Sequence, residues 1–371
     1  MDIIYRYYQP GDEEGIIKLL NHSFKGWPKL DVDPMGYWKW KYVDNPYWMN
    51  DIALALAGDE IIGCKHSVYF QTKLGEEILF CTLGSDMAVH NEYRERGISN
   101  ELRTLSSKRK QDYGYDLSYL VSSNPIVIAS YKDKNPSLPY DIIVYVLIKD
   151  IDKQLEKMPL KNPLAKKAAY RGAYTLNLVK RALSKREAPH VKISRVESFD
   201  ERIGKFWAET AIKYNFIVNR DQKYLNWRYA DKRAGQYEIH LAEENNEVTG
   251  YCVSYINRYR GEYPVGFIVD LLCHPYQTDL MYALLTKSLE YFNDNDVNII
   301  TALALRGSSL EEALGRVGFL NSTEKLNMFF SVKARRVDAQ EVIRKSTPET
   351  IHFCYGDIDS LPTDIRGENI R

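Results

Sequence analysis

The sequence predicts an α+β fold of two tandem domains, each with a mixed, mostly antiparallel central sheet flanked by helices. At 371 residues the chain is longer than one typical core, which favours roughly two domains. In the first half, a strand and a helix precede several antiparallel strands, and a β-α-β-α-β order follows. A doubly wound sheet would instead alternate strand and helix throughout. Motifs of the first half recur in the second in the same order, which indicates a diverged tandem repeat.

The evidence for the repeat is an aromatic tripeptide and a glycine that occur in both halves. Trp40-Lys41-Tyr42 in the first half corresponds to Trp227-Arg228-Tyr229 in the second. A glycine follows each tryptophan by 23 residues, at Gly63 and at Gly250. The tripeptides indicate shared architecture, with the cation stacked on an aromatic ring.

Predicted strands surround these glycines. Apolar runs separated by turn residues predict a hairpin followed by a third strand in each half. The predicted strands cover residues 52–57, 61–64 and 78–81, then 237–242, 248–252 and 265–268. Each third strand continues into Asp-x-x-x-His, as Asp86 to His90 and as Asp270 to His274. Shared order across three elements is harder to obtain by chance than one shared tripeptide.

Helical spacing of apolar residues predicts the remaining elements. In the first half these are a helix over 13–24, a helix over 99–112, a strand over 117–121, a helix over 124–131 and a strand over 140–147. In the second half, helices are predicted over 199–214 and 310–316.

The domain boundaries follow from composition. We expect a catalytic domain over 1–150, a basic helical linker over 151–190, a degenerate copy of the first domain over 191–335 and a C-terminal tail over 336–371. The lysines and arginines between 157 and 186 form a basic amphipathic segment, which would bind a membrane surface or an acidic partner, or pack as a linker helix. The acidic Asp357-Ile358-Asp359 is expected to be a solvated turn rather than a metal site.

Composition limits the function classes. Lysine plus arginine and aspartate plus glutamate both number 50, so no net field favours nucleic acid. Five cysteines without a CxxC pair argue against a disulfide scaffold or a zinc ribbon, and no metal site is expected. The first residues lack a signal-peptide form and no apolar run approaches about 18 residues, so a cytoplasmic protein is expected.

The segment with the clearest chemistry is the turn from Arg94 to Ser99. It follows a strand that ends at Val89 and opens onto a predicted helix. Backbone N–H groups at a helix N-terminus, the helix dipole and nearby arginines together build an anion site. A phosphate or pyrophosphate is therefore the expected ligand.

This turn resembles the pyrophosphate loop of the GNAT N-acetyltransferases, whose pattern is Gln or Arg, two residues, Gly, one residue, then Gly or Ala. Arg94, Gly97 and Ser99 occupy these positions, and Ser99 departs from the family by one small side chain. The second half has no such turn, because His274 to Asp279 contains neither arginine nor glycine. The resemblance therefore assigns the cofactor to the first half.

The resemblance also implies roles for individual residues. Acetyl-CoA, as acyl-donor cosubstrate, would pair through its pantetheine with the backbone of Met87, Ala88 and Val89, and an N–H near Met87 would polarise the thioester carbonyl. The pyrophosphate would lie on the turn formed by Arg94, Glu95, Arg96, Gly97, Ile98 and Ser99, and Asn124 would contact the cofactor.

The reaction needs an acid and a base. Tyr131 matches the position of the family's tyrosine acid, and Asp86 is a candidate base. Asp86 and His90 both have counterparts in the second half, so an architectural role for each is the alternative.

We therefore expect an acetyl-CoA-dependent N-acetyltransferase that acts on a primary amine of a small molecule, such as an amino sugar or an amino acid. A homodimer is possible on this interpretation. Two alternatives share the doubled fold: an aminoacyl-tRNA-dependent peptidyltransferase-like protein, and a non-catalytic protein that binds acetyl-CoA or scaffolds partners.

Overall fold

A computed structural model describes residues 2–152, 168, 172, 191–259, 264–334 and 337–359. These residues contain a thirteen-stranded sheet with helices packed on it. The strands are β1 (Ile3–Tyr7), β2 (Ala53–Ala57), β3 (Glu60–Leu74), β4 (Glu77–Val89), β5 (Leu117–Ser122), β6 (Ile142–Ile148), β7 (Lys192–Val196), β8 (Phe216–Val218), β9 (Tyr237–Glu244), β10 (Glu247–Asn257), β11 (Val265–Cys273), β12 (Ile299–Leu305) and β13 (Leu320–Val332).

The helices have the following bounds in the described ranges: α1 (Glu13–Phe24), α2 (Pro34–Trp38), α3 (Ile98–Tyr113), α4 (Pro125–Lys132), α5 (Arg202–Ala211), α6 (Gln222–Leu225), α7 (Thr278–Asp294), α8 (Ser309–Val317) and α9 (Ala339–Lys345). Two π-helical turns, Lys39–Val43 and Asn226–Ala230, hold the repeated aromatic tripeptides. The predicted helices and strands are confirmed, with ends that shift by a few residues and longer third strands.

The strands form one continuous sheet whose order is nearly palindromic. It runs β1-β2-β3-β4-β5-β13-β6-β12-β11-β10-β9-β7, and β8 pairs with β3 beside this path. The last strand of each half is exchanged, since β13 pairs with β5 while β6 pairs with β12. The predicted α+β fold is confirmed, but the exchange was not foreseen because it pairs residues far apart in the chain.

Two tryptophans join the halves at the centre of the molecule. The rings of Trp40 and Trp227 stack with centroids 5.0 Å apart. Each indole Nε1 donates to the backbone carbonyl of the other tryptophan, at 2.7 and 3.0 Å. Lys41 lies over the Tyr42 ring and Arg228 over the Trp40 ring, which confirms the expected cation–aromatic stacking.

The segment before Asp359 lies in the interior. The Asp357 carboxylate is fully buried and accepts from Arg220 Nη2 at 2.6 Å. The Tyr355 ring packs on Phe267 of β11, with centroids 5.6 Å apart. The expectation of a solvated turn at 357–359 is therefore wrong, because a buried arginine supplies the counter-charge that lets Asp357 leave water.

Within the described ranges, no helix combines the length and the apolar character needed to cross a bilayer. Apart from residues 168 and 172, the predicted basic segment at 157–186 lies outside the described residues.

Candidate active site

The strands β4 and β5 meet at one point and then separate. Their parallel pairing consists of the single pair Cys81 and Leu117 in the described chain. A cavity of about 290 Å³ fills the gap, between residues 82–84 of β4 and residues 118–121 of β5. Lys110 of α3 and Tyr131 of α4 also line this cavity. The gap leaves the edge of β4 open to an added strand-like ligand.

Strand β4 is bulged at Asp86, near its C-terminal end. The register with β3 shifts between Cys64 and His66, and Asp86 has a positive φ of 26°. His66 holds the bulge, because its Nδ1 lies 2.8 Å from the Asp86 carbonyl oxygen. Trp38 Nε1 donates to His66 Nε2 at 3.0 Å, so the imidazole proton resides on Nδ1 and is donated to that carbonyl. Burial lowers the pKa of His66 to about 4, which keeps the ring neutral.

The Asp86 carboxylate is held by two buried partners. It accepts from Tyr42 Oη in a short hydrogen bond and from Lys41 Nζ at 3.2 Å. Burial raises the pKa of Asp86, but the adjacent Lys41 ammonium outweighs it and holds the pKa below its usual range. Burial likewise lowers the pKa of Lys41, yet Asp86 and Tyr37 raise it above its ordinary value. The two groups therefore stay charged together.

A second carboxylate, Asp359 of the C-terminal segment, also lies beside Lys41. Asp359 Oδ2 accepts from Ser85 Oγ at 2.6 Å and lies 3.5 Å from Lys41 Nζ. The side chain is about one-quarter exposed and lines the cavity between β4 and β5. Sequence reasoning missed this residue, because nothing local connects Ser85 to a carboxylate 274 residues away.

The turn after β4 contains two residues with positive φ. Glu95 and Gly97 have φ of 63° and 77°, and α3 begins at the next residue, Ile98. The N–H groups of Asn100 and Glu101 already donate to the Gly97 carbonyl. The glycine supplies a left-handed conformation that other residues adopt at a cost.

Five of the nine predicted residues of β4 and the turn line a second cavity, of about 440 Å³. Its lining comprises Ser23, Phe24, Met87, Ala88, Val89, Arg94, Ser99 and Arg103. Sequence reasoning missed Arg103, although it lies one helical turn beyond Ser99 and so faces the same side of α3.

Arg96 has partners of its own outside this lining. Its Nη2 donates to the Glu92 carbonyl at 3.1 Å, and its guanidinium lies 5.1 Å from the centre of the Tyr93 ring.

Three other predicted residues have defined positions. Tyr131 is 38 % exposed and packs against Phe329 of β13, 6.0 Å between ring centres. Asn124 caps α4, because its Oδ1 accepts from the N–H of Ile126 at 2.9 Å. His90 stacks on His22 of α1 with centroids 4.5 Å apart.

The second half keeps the carboxylate but surrounds it differently. Asp270 accepts from Tyr229 Oη at 2.9 Å, as Asp86 does from Tyr42, and its cation is Arg220 at 3.3 Å. Strands β11 and β12 pair over four residues rather than one. Asp270, His352 and Cys354 are metal-ligand types grouped together in the described part of the chain. The guanidinium of Arg220 donates to the Cys354 sulfur at 3.3 Å, so a cation already lies among these atoms.

Residues 4–133 match the family model described as an acetyltransferase (GNAT) domain. No curated protein matches the chain in sequence. Over most of its length the fold is similar to that of Saccharomyces cerevisiae N-myristoyltransferase with bound myristoyl-CoA, with a TM-score of 0.59 and 8% identity over 88% of this chain and 78% of that one.

Two further solved structures share the fold. A probable N-acyltransferase from Enterococcus faecalis gives a TM-score of 0.57 at 13% identity, covering 90% of this chain and 73% of that one. A GCN5-related N-acetyltransferase from Anabaena variabilis gives 0.54 at 10% identity, covering 88% and 72%. At these identities the likeness concerns the fold.

Proposed function

We propose that the chain is an acetyl-CoA-dependent N-acetyltransferase whose acceptor is a small primary amine, since residues 4–133 match the family model of an acetyltransferase (GNAT) domain. The observation that carries this proposal is the gap between β4 and β5, with an anion turn at the end of β4. A gap beside a free strand edge suits pantetheine, and the turn suits the pyrophosphate. Strands β4 and β5 and the turn belong to the first half, so we assign donor binding to that half. Phe329 and Ser331 of β13 and Asp359 of the C-terminal segment complete the cavity.

Residues of β4 and α3 would hold the donor. The backbone of Met87, Ala88 and Val89 would pair with the pantetheine amides, and an N–H near Met87 would stabilise the oxyanion of the tetrahedral intermediate. Arg94 and Arg103 would contact the pyrophosphate, because both line the cavity beside the turn. Since Arg96 donates to Glu92 and stacks on Tyr93, its role on this proposal is to shape the turn.

The proton transfers fall to Asp359 and Tyr131. The acceptor ammonium loses one proton to the Asp359 carboxylate, and the amine nitrogen attacks the thioester carbon. The carbon–sulfur bond then breaks, Tyr131 protonates the thiolate, and the nitrogen's second proton restores the tyrosine through solvent.

The paired state of Asp86 supports a positioning role rather than the base role that the sequence suggests. Lys41 Nζ lies near both carboxylates, at 3.2 Å from Asp86 and 3.5 Å from Asp359, but only Asp359 lines the cavity between β4 and β5, where an acceptor would bind.

The donor on this proposal carries a short acyl group. The cavity between β4 and β5 must hold the end of the pantetheine arm and the acyl group together, within about 290 Å³. A long chain would therefore need a further cavity, so we propose acetyl as the transferred group.

The tandem repeat supports the assignment of catalysis to the first half. We propose two tandem domains, with residues 1–150 catalytic and residues 191–335 a copy that has lost its anion turn. The near-palindromic strand order and the stacked Trp40 and Trp227 support it, since both relate one half to the other.

The proposal is tested by acetyl-CoA binding and by thiol release on a panel of amines. Arg94→Ala removes a charged contact to phosphate and should weaken acetyl-CoA binding by roughly 10- to 100-fold. Arg96→Ala is the matched control in the same turn, and we expect a smaller effect from it. Wild-type protein that binds no acetyl-CoA would overturn the proposal, whereas binding without thiol release on any amine would favour the non-catalytic alternative.

The acid and base are tested in the same assay. Tyr131→Phe and Asp359→Asn should each lower kcat by about 10²- to 10⁴-fold, with acetyl-CoA affinity unchanged. Tyr145→Phe, far from the gap on β6, serves as a control for loss of a tyrosine hydroxyl. Full turnover of Tyr131→Phe would remove its acid role, and full turnover of Asp359→Asn would return the base role to Asp86.

A further inference from the structure

The strongest unexplained feature is a buried arginine without an acidic partner. Arg228 is 6% exposed, and its Nε has no hydrogen-bond partner. Its Nη2 donates to the carbonyl of Ile358 at 2.9 Å, and its guanidinium lies 5.6 Å from the centre of the Trp40 ring. Among the residues that the structure describes, no carboxylate forms an ion pair with it. Burying a charge without a counter-charge is costly, so an anionic ligand that paired with Arg228 would offset that cost.

Comparison with the first half shows why no carboxylate pairs with Arg228. Its counterpart in the repeat, Lys41, pairs with Asp86 and with Asp359. The equivalent carboxylate in the second half, Asp270, lies instead beside Arg220. Arg220 also pairs with Asp357, so both of these buried carboxylates are taken by Arg220 and neither forms an ion pair with Arg228.

The cavity that Arg228 lines indicates which kind of ligand would bind it. Arg228 and Asp359 line one small cavity of about 20 Å³, next to the cavity that contains Tyr131. The two cavities share Leu83, Asp357, Ile358 and Asp359 in their walls. The Asp357 carboxylate is already paired with Arg220. The small cavity alone has room for about one water molecule, so a carboxylate would approach Arg228 from the adjoining larger cavity.

From this pairing of charges we propose that the acceptor is a free α-amino acid. Its carboxylate would bind the Arg228 guanidinium, and its ammonium would lie at the Asp359 carboxylate, where it is deprotonated for attack. The proposal rests on the proposed function and narrows its acceptor class. A planar guanidinium binds a carboxylate through two parallel hydrogen bonds, and Nε supplies one of the donors that has no partner.

The test is calorimetric binding to the full chain loaded with CoA, which needs no turnover. Each common L-α-amino acid is titrated first, and the best binder is compared with the amine that lacks its carboxylate, for example phenylalanine with 2-phenylethylamine. Wild-type protein should bind the amino acid at least roughly 10-fold more tightly than the amine. Arg228→Gln should abolish that preference, and Arg228→Lys should keep part of it, since it keeps the charge but not the two-pronged geometry.

Controls separate this inference from the proposed function. Arg233→Gln removes an exposed arginine of the same segment and should leave the preference intact. Acetyl-CoA binding and thermal unfolding of each variant report whether it is folded. A wild-type protein that binds no amino acid, or that binds acid and amine equally, overturns the inference. Acetyl transfer to the simple amine in that same protein would leave the proposed function standing.

Discussion

At the scale of single residues, buried polar groups define the candidate site. His66 fixes the bulge carbonyl of Asp86, while Lys41 and Tyr42 fix its carboxylate. These groups lie at the end of β4 where the thioester is proposed to bind. Their hydrogen bonds hold the backbone in a left-handed conformation that would otherwise cost about 1–3 kcal/mol. None of these contacts can be predicted from the residues that neighbour Asp86 in the sequence.

His66 makes the stability of the fold dependent on pH. Its pKa is about 4 in the folded chain and about 6.5 when unfolded, so the unfolded chain binds the additional proton between these values. Stability therefore falls as pH drops below about 6.5, and the contribution of His66 between pH 7 and pH 4.5 is about 2–3 kcal/mol.

Denaturant unfolding at several pH values measures this effect. His66→Gln keeps an acceptor for Trp38 and a donor for Asp86 but does not titrate, so its free energy of unfolding should depend less on pH in that range. Equal pH dependence in wild type and variant would refute the assignment.

At the scale of elements, two glycines explain why the repeat preserves a spacing of 23 residues from each tryptophan. A Cβ on Gly63 would lie 3.0 Å from Ile98 and 3.2 Å from Leu102, both on α3. A Cβ on Gly250 would lie 3.0 Å from Cys273 and 3.4 Å from Leu284 of α7. In each half the helix that follows the third strand packs directly on the sheet at this glycine.

Substitution of these glycines separates stability from donor binding. Gly63→Val and Gly250→Val should each lower the free energy of unfolding by about 1–3 kcal/mol. Helix α3 must shift to make room at Gly63, and at Gly250 a Cβ would lie 3.0 Å from the Leu272 carbonyl oxygen of β11. Gly63→Val should also weaken acetyl-CoA binding because α3 carries the anion turn. Gly250→Val is the matched control, and a comparable loss of acetyl-CoA binding there would contradict assignment of the donor to the first half.

At the scale of the whole molecule, the exchanged strands make the halves interdependent. In the described sheet, β5 pairs with β13 on the side away from β4, and β6 pairs with β12 and β13. The first half therefore lacks its inner neighbours when it is expressed alone. Exposed strand edges of this kind promote aggregation.

A fragment experiment checks this interdependence. Residues 1–152 alone should be insoluble or should show no cooperative thermal transition by circular dichroism. Coexpression with residues 191–371 should restore a soluble complex and acetyl-CoA binding. Cooperative unfolding of the isolated fragment would show that the exchanged strands are dispensable.

The sequence by itself determined the local features of this protein. Hydrophobic periodicity located the helices and strands, the spacing of Trp40 and Gly63 revealed the repeat, and the Arg94 to Ser99 turn pointed to an anion site. Each of these features depends on residues that are near one another in the chain, so turn residues and side-chain spacing are enough to predict it.

Only the tertiary structure decided the strand exchange, the arrival of Asp359 beside Ser85, and the isolation of Arg228 from an acidic partner. The Trp40–Trp227 and Ser85–Asp359 contacts span 187 and 274 residues. Such contacts leave no periodic pattern in the sequence, because only the chain topology brings the groups together. Burial and the neighbouring charges then determine the protonation state of each group.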